Sequence, residues 1–179
     1  MSYYSDMYCY GCDGQEVGIT GFRSCLGVVY VGQRWLYAIH IPPTGSAARA
    51  PRAFADLISS FVEPKGKGRL LVFTNANERA NVETEAKTIK RALGDPTTYL
   101  YRLTGYPNIA AVVRVRWEGR VVGVQSASED HAAVVNGGDR RVGTYDQIQG
   151  PNYAEPKIPS NPNGWSEITA AAQVSRVYF

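Results

Sequence analysis

Apolar and polar positions alternate along this chain with two different periods, and the change between them marks out the elements. Cys25-Leu-Gly-Val-Val-Tyr-Val31 and Arg34-Trp-Leu-Tyr-Ala-Ile-His-Ile41 are apolar, β-branched runs separated by Gly32-Gln33. A Gly-X dipeptide between two such runs predicts a two-residue hairpin. Leu26, Val28, Tyr30, Trp35, Tyr37 and Ile39 fall on one face of it, and Val29, Val31, Leu36 and Ala38 on the other. A hairpin apolar on both faces belongs at the centre of a layered fold.

Pro42-Pro43-Thr-Gly45 breaks the second strand, and Pro51 opens a helix with Phe54, Leu57, Ile58 and Phe61 on one stripe. Pro64–Gly68 reads as a loop and Arg69–Thr74 as a buried strand. A second helix runs from about Asn81 to Leu93, with Val82, Ala86, Ile89 and Leu93 on one face and Gly94 as its stop. Thr97–Leu103 reads as another strand. Ile109–Trp117 and Arg120–Gln125 form a second hairpin around Glu118-Gly119. There Val113, Val115 and Trp117 alternate with Arg114 and Arg116, one face in the core and one in water. Trp165–Phe179 ends in an alternating Val174, Arg176, Tyr178 pattern expected to close a sheet. Two segments lack a period. Residues 1–16 are Tyr-rich and read as an irregular or edge segment covering something. Residues 149–164 carry four Pro and two Gly and read as a long loop or lid. Together these elements predict an α/β (α+β) fold, a β-sandwich core of mostly antiparallel strands flanked by helices, in one domain over residues 1–179.

Composition narrows the classes. With 44% hydrophobic and 20% charged residues the chain is an ordinary globular one. Its net charge of +3 comes without a basic run, the nearest being Arg140-Arg141 after a Gly137-Gly138-Asp139 turn, so nucleic acid is not an expected partner. No apolar stretch approaches the ~20 residues of a membrane-spanning helix, and the N-terminus lacks the basic and apolar segments of a signal peptide. The expectation is a monomer made in the cytoplasm, with delivery to another compartment only by a route that leaves no removable leader. Three cysteines, an odd number, argue against a disulfide scaffold.

The hairpin carries the candidate chemistry. If Gly32-Gln33 is the turn, Val31 opposes Arg34 and Cys25 opposes His40. Directly opposed residues share a face with Cβ atoms about 4.5–5.5 Å apart, close enough for imidazole to reach thiol. Such a pair is a minimal machine for nucleophilic attack on a carbonyl carbon: Cys25 attacks and His40 takes its proton. The next pair on that face, Gly27 and Ala38, has the smallest side chains and is expected to leave room beside the sulfur. A buried packing cysteine beside a hydrogen-bonded core histidine is the bland alternative.

Cys9-Tyr-Gly-Cys12 offers a rival. Cys9, Cys12, Cys25 and His40 would make an acceptable Cys3His zinc set for a non-enzymatic interaction module. A thioredoxin-like role lacks the strand and helix around the pair, and a zinc nucleobase deaminase lacks the His-x-Glu signature. His131, in Ser128-Glu-Asp-His-Ala132, reads as a solvated turn residue with Glu129 and Asp130 beside it. Asn75, Asn77 and Glu78 read as loop polar residues after a buried strand, placed where they could border the active site, with nothing to single one out.

Gly21-Phe-Arg-Ser-Cys25, an apolar strand, and Ala38-Ile-His-Ile-Pro-Pro43 together resemble the Cys/His protein-glutamine deamidase superfamily. Its members include the chemoreceptor deamidase CheD, the cytotoxic necrotizing factor catalytic domain and Burkholderia lethal factor. The likeness covers residues 17–43. It implies a hydrolase without metal or other cofactor, acting on a glutamine side-chain amide of a protein substrate, with Cys25 as nucleophile and His40 as base. It also implies transglutamination when an amine replaces water. The chain departs from the pattern at Arg23, Ser24 and Ile19. The position six before the cysteine, Thr in two of those families, is Ile19 here; Thr20 lies one closer and would need a β-bulge to orient His40 as the third catalytic residue. Length and context favour an effector toxin over a chemoreceptor enzyme.

Overall fold

The computed structural model describes residues 2–5, 9–43, 48–64, 66–75, 81–103, 111–128, 132–134, 143–144, 157–159, 166–168 and 173–176. In chain order the elements are β1 (Ser2–Ser5), β2 (Cys9–Asp13), β3 (Glu16–Phe22), β4 (Leu26–Val31), β5 (Leu36–Ile41), α1 (Ala50–Ser60), β6 (Arg69–Asn75), α2 (Val82–Ala92) and β7 (Thr97–Leu103). They continue with β8 (Ala111–Glu118), β9 (Val121–Ser128), β10 (Ala132–Val134), β11 (Gly143–Thr144), β12 (Lys157–Pro159), β13 (Ser166–Glu167) and β14 (Gln173–Arg176). One sheet runs β11-β2-β5-β4-β6-β7-β14 and a second runs β1-β3-β8-β9-β13; β10 and β12 form a separate ribbon. Pairing is antiparallel except for β1 with β3 and β6 with β7, the latter joined through α2. The fold is therefore the expected α+β one.

Three layers follow from the faces of β4 and β5, whose residues are all buried. Leu26, Val28, Tyr30, Tyr37 and Ile39 pack under Phe54, Ile58, Val82, Ala86 and Ile89 of the two helices. Val29, Val31, Leu36 and Ala38 pack against Val17, Ile19, Val113 and Val115 of the second sheet. The seven-stranded sheet is thus covered on both sides. Pro51 sits in the first turn of α1, where a missing N–H costs nothing. Acidic Glu83 and Glu85 begin α2 and basic Lys90 and Arg91 end it, each matching the helix dipole. Gly94, at φ +77°, takes the left-handed position that stops the helix.

The second hairpin turns at Gly119, φ +67°, with Glu118 paired to Val121. The first turns elsewhere than expected. Gly32 N–H donates to the Trp35 carbonyl at 2.9 Å, so Gln33-Arg34 is the turn, and Val31 pairs with Leu36 instead of Arg34. The cause is Glu63. Its carboxylate accepts from the N–H of Gln33 at 3.1 Å and of Arg34 at 3.2 Å. Gly32 is needed for close approach: a Cβ there would lie 2.7 Å from Glu63 Oε1. The register moves by two residues, so every side chain keeps its predicted face.

Residues 1–16 are not merely irregular. β1 joins the edge of one sheet beside β3, and β2 pairs with β5 in the other. Asp13 makes the corner between sheets, its Oδ1 accepting from Gln15 N–H at 2.7 Å and Glu16 N–H at 3.0 Å. Of residues 149–164, only the short strand β12 is among the described residues.

Two stability outcomes are expected. Glu63→Ala removes charge-assisted hydrogen bonds from the turn and costs about 2 kcal/mol, lowering Tm by about 4–8 °C. Gly32→Ala displaces the same carboxylate, so urea unfolding of the double variant shows less destabilisation than the two single losses together.

Tyr37 gives a pH dependence. Burial, then the negative charge of Glu63, raises its phenol well above the ordinary 10.0, and burial raises that of Tyr30. Below pH 10.0 both folded and unfolded chains hold these protons. Above it the unfolded chain releases them first, so stability falls as pH rises, by up to about 1.4 kcal/mol per pH unit for each phenol. The Tyr37 hydroxyl is buried without a well-formed hydrogen bond among the described residues. Tyr37→Phe is therefore expected to be within about 1 kcal/mol of the parent at pH 7. Urea midpoints between pH 8 and 11 then fall less steeply in the variant.

Candidate active site

Cys25 lies where the chain crosses from one sheet to the other. β3 belongs to the five-stranded sheet and β4 to the seven-stranded one, so residues 23–25 bridge the layer between them. A bulge prepares the crossing: Ile19 pairs with Val113, but Phe22 pairs with Ala111, which leaves one extra residue on β3. Gly21 adopts φ +60° there, a conformation Gly takes without steric cost. Arg23 is exposed, Ser24 half-buried, and Cys25 only 3% exposed. The thiol thus stands just beneath the surface, in the apolar layer with Ile19, Val29, Phe73 and Leu103.

His40 stands in the same layer. It is two residues from Ala38, which packs in the inter-sheet core, and it is 0% exposed. Its direct partner across the hairpin is Gly27. The expected opposition of Cys25 and His40 is therefore corrected: the Glu63-held turn shifts the register, and Cys25, one residue before β4, becomes the diagonal neighbour of His40 on the shared face. Diagonal pairs lie about 7–8 Å apart at their backbones, a span that long or aromatic side chains bridge.

The expected space beside the sulfur is also corrected. Gly27 does lack a side chain, but Ile19 fills the gap, its Cδ1 lying 3.0 Å from where a Cβ would be. Among the described residues, cavities of about 220 and 230 Å³ lie away from the sulfur. The first lies among Leu26, Ile41, Pro51 and Ile89 on the helix side, and the second among Arg69, Tyr99, Tyr101 and Val124 at the far end of the sandwich.

Thr20 is 1% exposed and sits in the bulge that orienting His40 would require. Two further buried polar residues belong to this layer: Asn75, read from sequence as a loop residue at the site's border, and Ser126, which no pattern marked. Asn75 pairs with Leu103 of the inter-sheet core and follows Leu71 and Phe73 on the same alternation. Ser126 pairs with Val113 on the facing sheet. The signal for Asn75 was present: the inward face of β6 continues one step beyond Thr74.

The zinc set is taken apart. Cys12 packs with Tyr37 and Phe61 on the helix side, whereas Cys25 and His40 lie on the opposite face of the same sheet. A metal cannot draw ligands through a sheet, and no cluster of metal-ligating side chains occurs among the described residues. His131, Glu129, Asp130, Asn77 and Glu78 lie outside the described residues, as does most of the 149–164 segment.

No helix among the described residues is long and apolar enough to cross a membrane. The chain matches no known family model, and no curated protein matches it in sequence. The deamidase likeness therefore stands on residues 17–43 alone.

The Gly27 gap makes a direct test of this packing. Gly27→Val drives a branched side chain into Ile19 and Phe73 and is expected to cost about 1–3 kcal/mol. In an Ile19→Ala background the same change costs less, read from urea midpoints.

Proposed function

We propose that the protein is a cysteine-dependent protein-glutamine deamidase, with Cys25 as nucleophile and His40 as base. The observation that carries the reading is the placing of one thiol and one imidazole as diagonal neighbours on a single buried face, at the sheet end where the chain surfaces. Water is scarce in that layer, so a hydrogen bond or charge there counts for more than at the surface.

In this reading His40 removes the thiol proton as the sulfur attacks the amide carbon of a glutamine side chain. A C–S bond forms and the amide oxygen takes the electron pair. The oxygen's electrons return as the C–N bond breaks, and His40 passes its proton to the departing ammonia. Water, deprotonated by His40, then attacks the thioester; glutamate leaves and the thiol regains its proton. Thr20, or a backbone carbonyl, holds the imidazole ring. An amine in place of the water makes the same site a transglutaminase. The substrate is a folded protein presenting a glutamine, and chain length and context favour an effector toxin acting in another cell over a chemoreceptor enzyme.

The reading predicts one unusually reactive thiol. Iodoacetamide is expected to alkylate Cys25 at a pH well below the ~8.5 of free cysteine, and His40→Ala is expected to remove that advantage while Cys12 stays inert. Cys25→Ser then abolishes ammonia release from glutamine-containing proteins. A Cys25 that alkylates only on unfolding would make the pair a packing feature and end the enzyme reading.

A further inference from the structure

We infer that Asn75 is a catalytic residue of the proposed reaction, its side-chain amide donating to the oxygen that becomes negative when Cys25 attacks. The inference rests on the deamidase reading and adds a role that neither the motif nor its likeness assigns.

Three observations place Asn75 beside the sulfur. First, the last opposed pair between β4 and β6 is Leu26 with Thr74. One step further, the same register sets Cys25 across from Asn75, a separation of about 4.5–5.5 Å between Cβ atoms for opposed residues. Second, both point into the same layer. Cys25 belongs to the inter-sheet core, and Asn75 pairs on its other side with Leu103 of that core. Third, Asn75 is only 3% exposed, so its amide acts where solvent screens little.

The order across the sheet is β5, β4, β6. His40 therefore flanks the nucleophile on one side and Asn75 on the other. The chemistry divides the same way. Imidazole accepts and returns protons near neutral pH. A carboxamide does neither, and its NH2 supplies two fixed donors. Negative charge develops on the amide oxygen of the substrate as the C–S bond forms. A preorganised donor aimed at that oxygen commonly contributes about 10²–10³ in rate. Thr74 helps fix the strand end, its hydroxyl donating to the Asn75 carbonyl at 3.3 Å.

Two reagents separate this role from a structural one. Iodoacetamide alkylates a thiolate by displacement and forms no oxyanion; 4-nitrophenyl acetate acylates it through a tetrahedral oxyanion. In Asn75→Ala, alkylation of Cys25 is expected to stay within about twofold of the parent. Acylation, followed by nitrophenolate release, is expected to fall about 10²-fold or more. Asn75→Leu, an apolar side chain of similar volume, guards against collapse around a cavity and is expected to show the same split. Equal loss of both rates would make Asn75 a packing residue, and unchanged acylation would remove it from the reaction; either overturns the inference and leaves the deamidase reading standing. A Cys25 inert to iodoacetamide in the parent protein would instead overturn both.

Discussion

The Glu63 carboxylate sets the geometry on which the candidate site depends. It holds the N–H groups of Gln33 and Arg34 and leaves no room for a side chain at Gly32. Neither turn residue takes a positive φ, so the tight turn lacks the backbone twist that favours primed hairpins. The carboxylate supplies fixed acceptors instead. Because the turn sits at Gln33-Arg34, His40 faces Gly27, and Cys25 falls diagonally from it. A turn at Gly32-Gln33 would set the thiol directly against the imidazole. An anchor on the loop after α1 thus decides which side chains meet at the opposite end of the strands.

This explains what the sequence made legible. Faces are encoded by period, and a shift of two residues leaves parity intact. Both faces of the first hairpin, the helix stripes ending at Phe61 and Leu93, and the Val113–Val115 core face all follow from local pattern and are found as read. Register is encoded by whatever touches the turn, and here that residue is 30 positions away in sequence from Gln33. No local pattern contains it. The N-terminal segment was read as irregular or edge, and β1 is an edge strand; that β2 enters the other sheet was not legible, for a related reason. Cys9–Asp13 has no alternation of its own and becomes a strand because the exposed edge of β5 offers it a ladder. Strand propensity is largely a statement about such surroundings.

The site divides along the same line. Cys25 and His40 were legible because rare residue types flank one short hairpin. The requirement for a bulge at Thr20 was also legible, and β3 contains one, with Gly21 as the residue that permits it. The zinc set drew its members from sequence spacing alone, and parity separates Cys12 from Cys25 and His40. Asn75 was placed only among loop residues at the site's border, for the opposite reason. A polar residue after an apolar run reads as the start of a loop, yet its alternation with Leu71 and Phe73 continues inward.

Burial is the feature that most constrains the chemistry. His40, Cys25 and Asn75 occupy a layer otherwise lined by aliphatic and aromatic side chains, and Thr20 is buried in the neighbouring bulge. A cavity-filling design would place valine or leucine at such positions, since each buried polar group must recover its desolvation through hydrogen bonds. Three at one end of one layer, where the chain crosses between sheets, are more than packing alone requires. The far end of the same sheet face has Val29, Val31, Leu36 and Ala38 and needs no such groups to hold the sandwich together. The polarity is therefore concentrated where the backbone surfaces through Ser24 to Arg23. The apolar walls that make the layer costly for isolated polar groups also strengthen any charge or hydrogen bond formed within it.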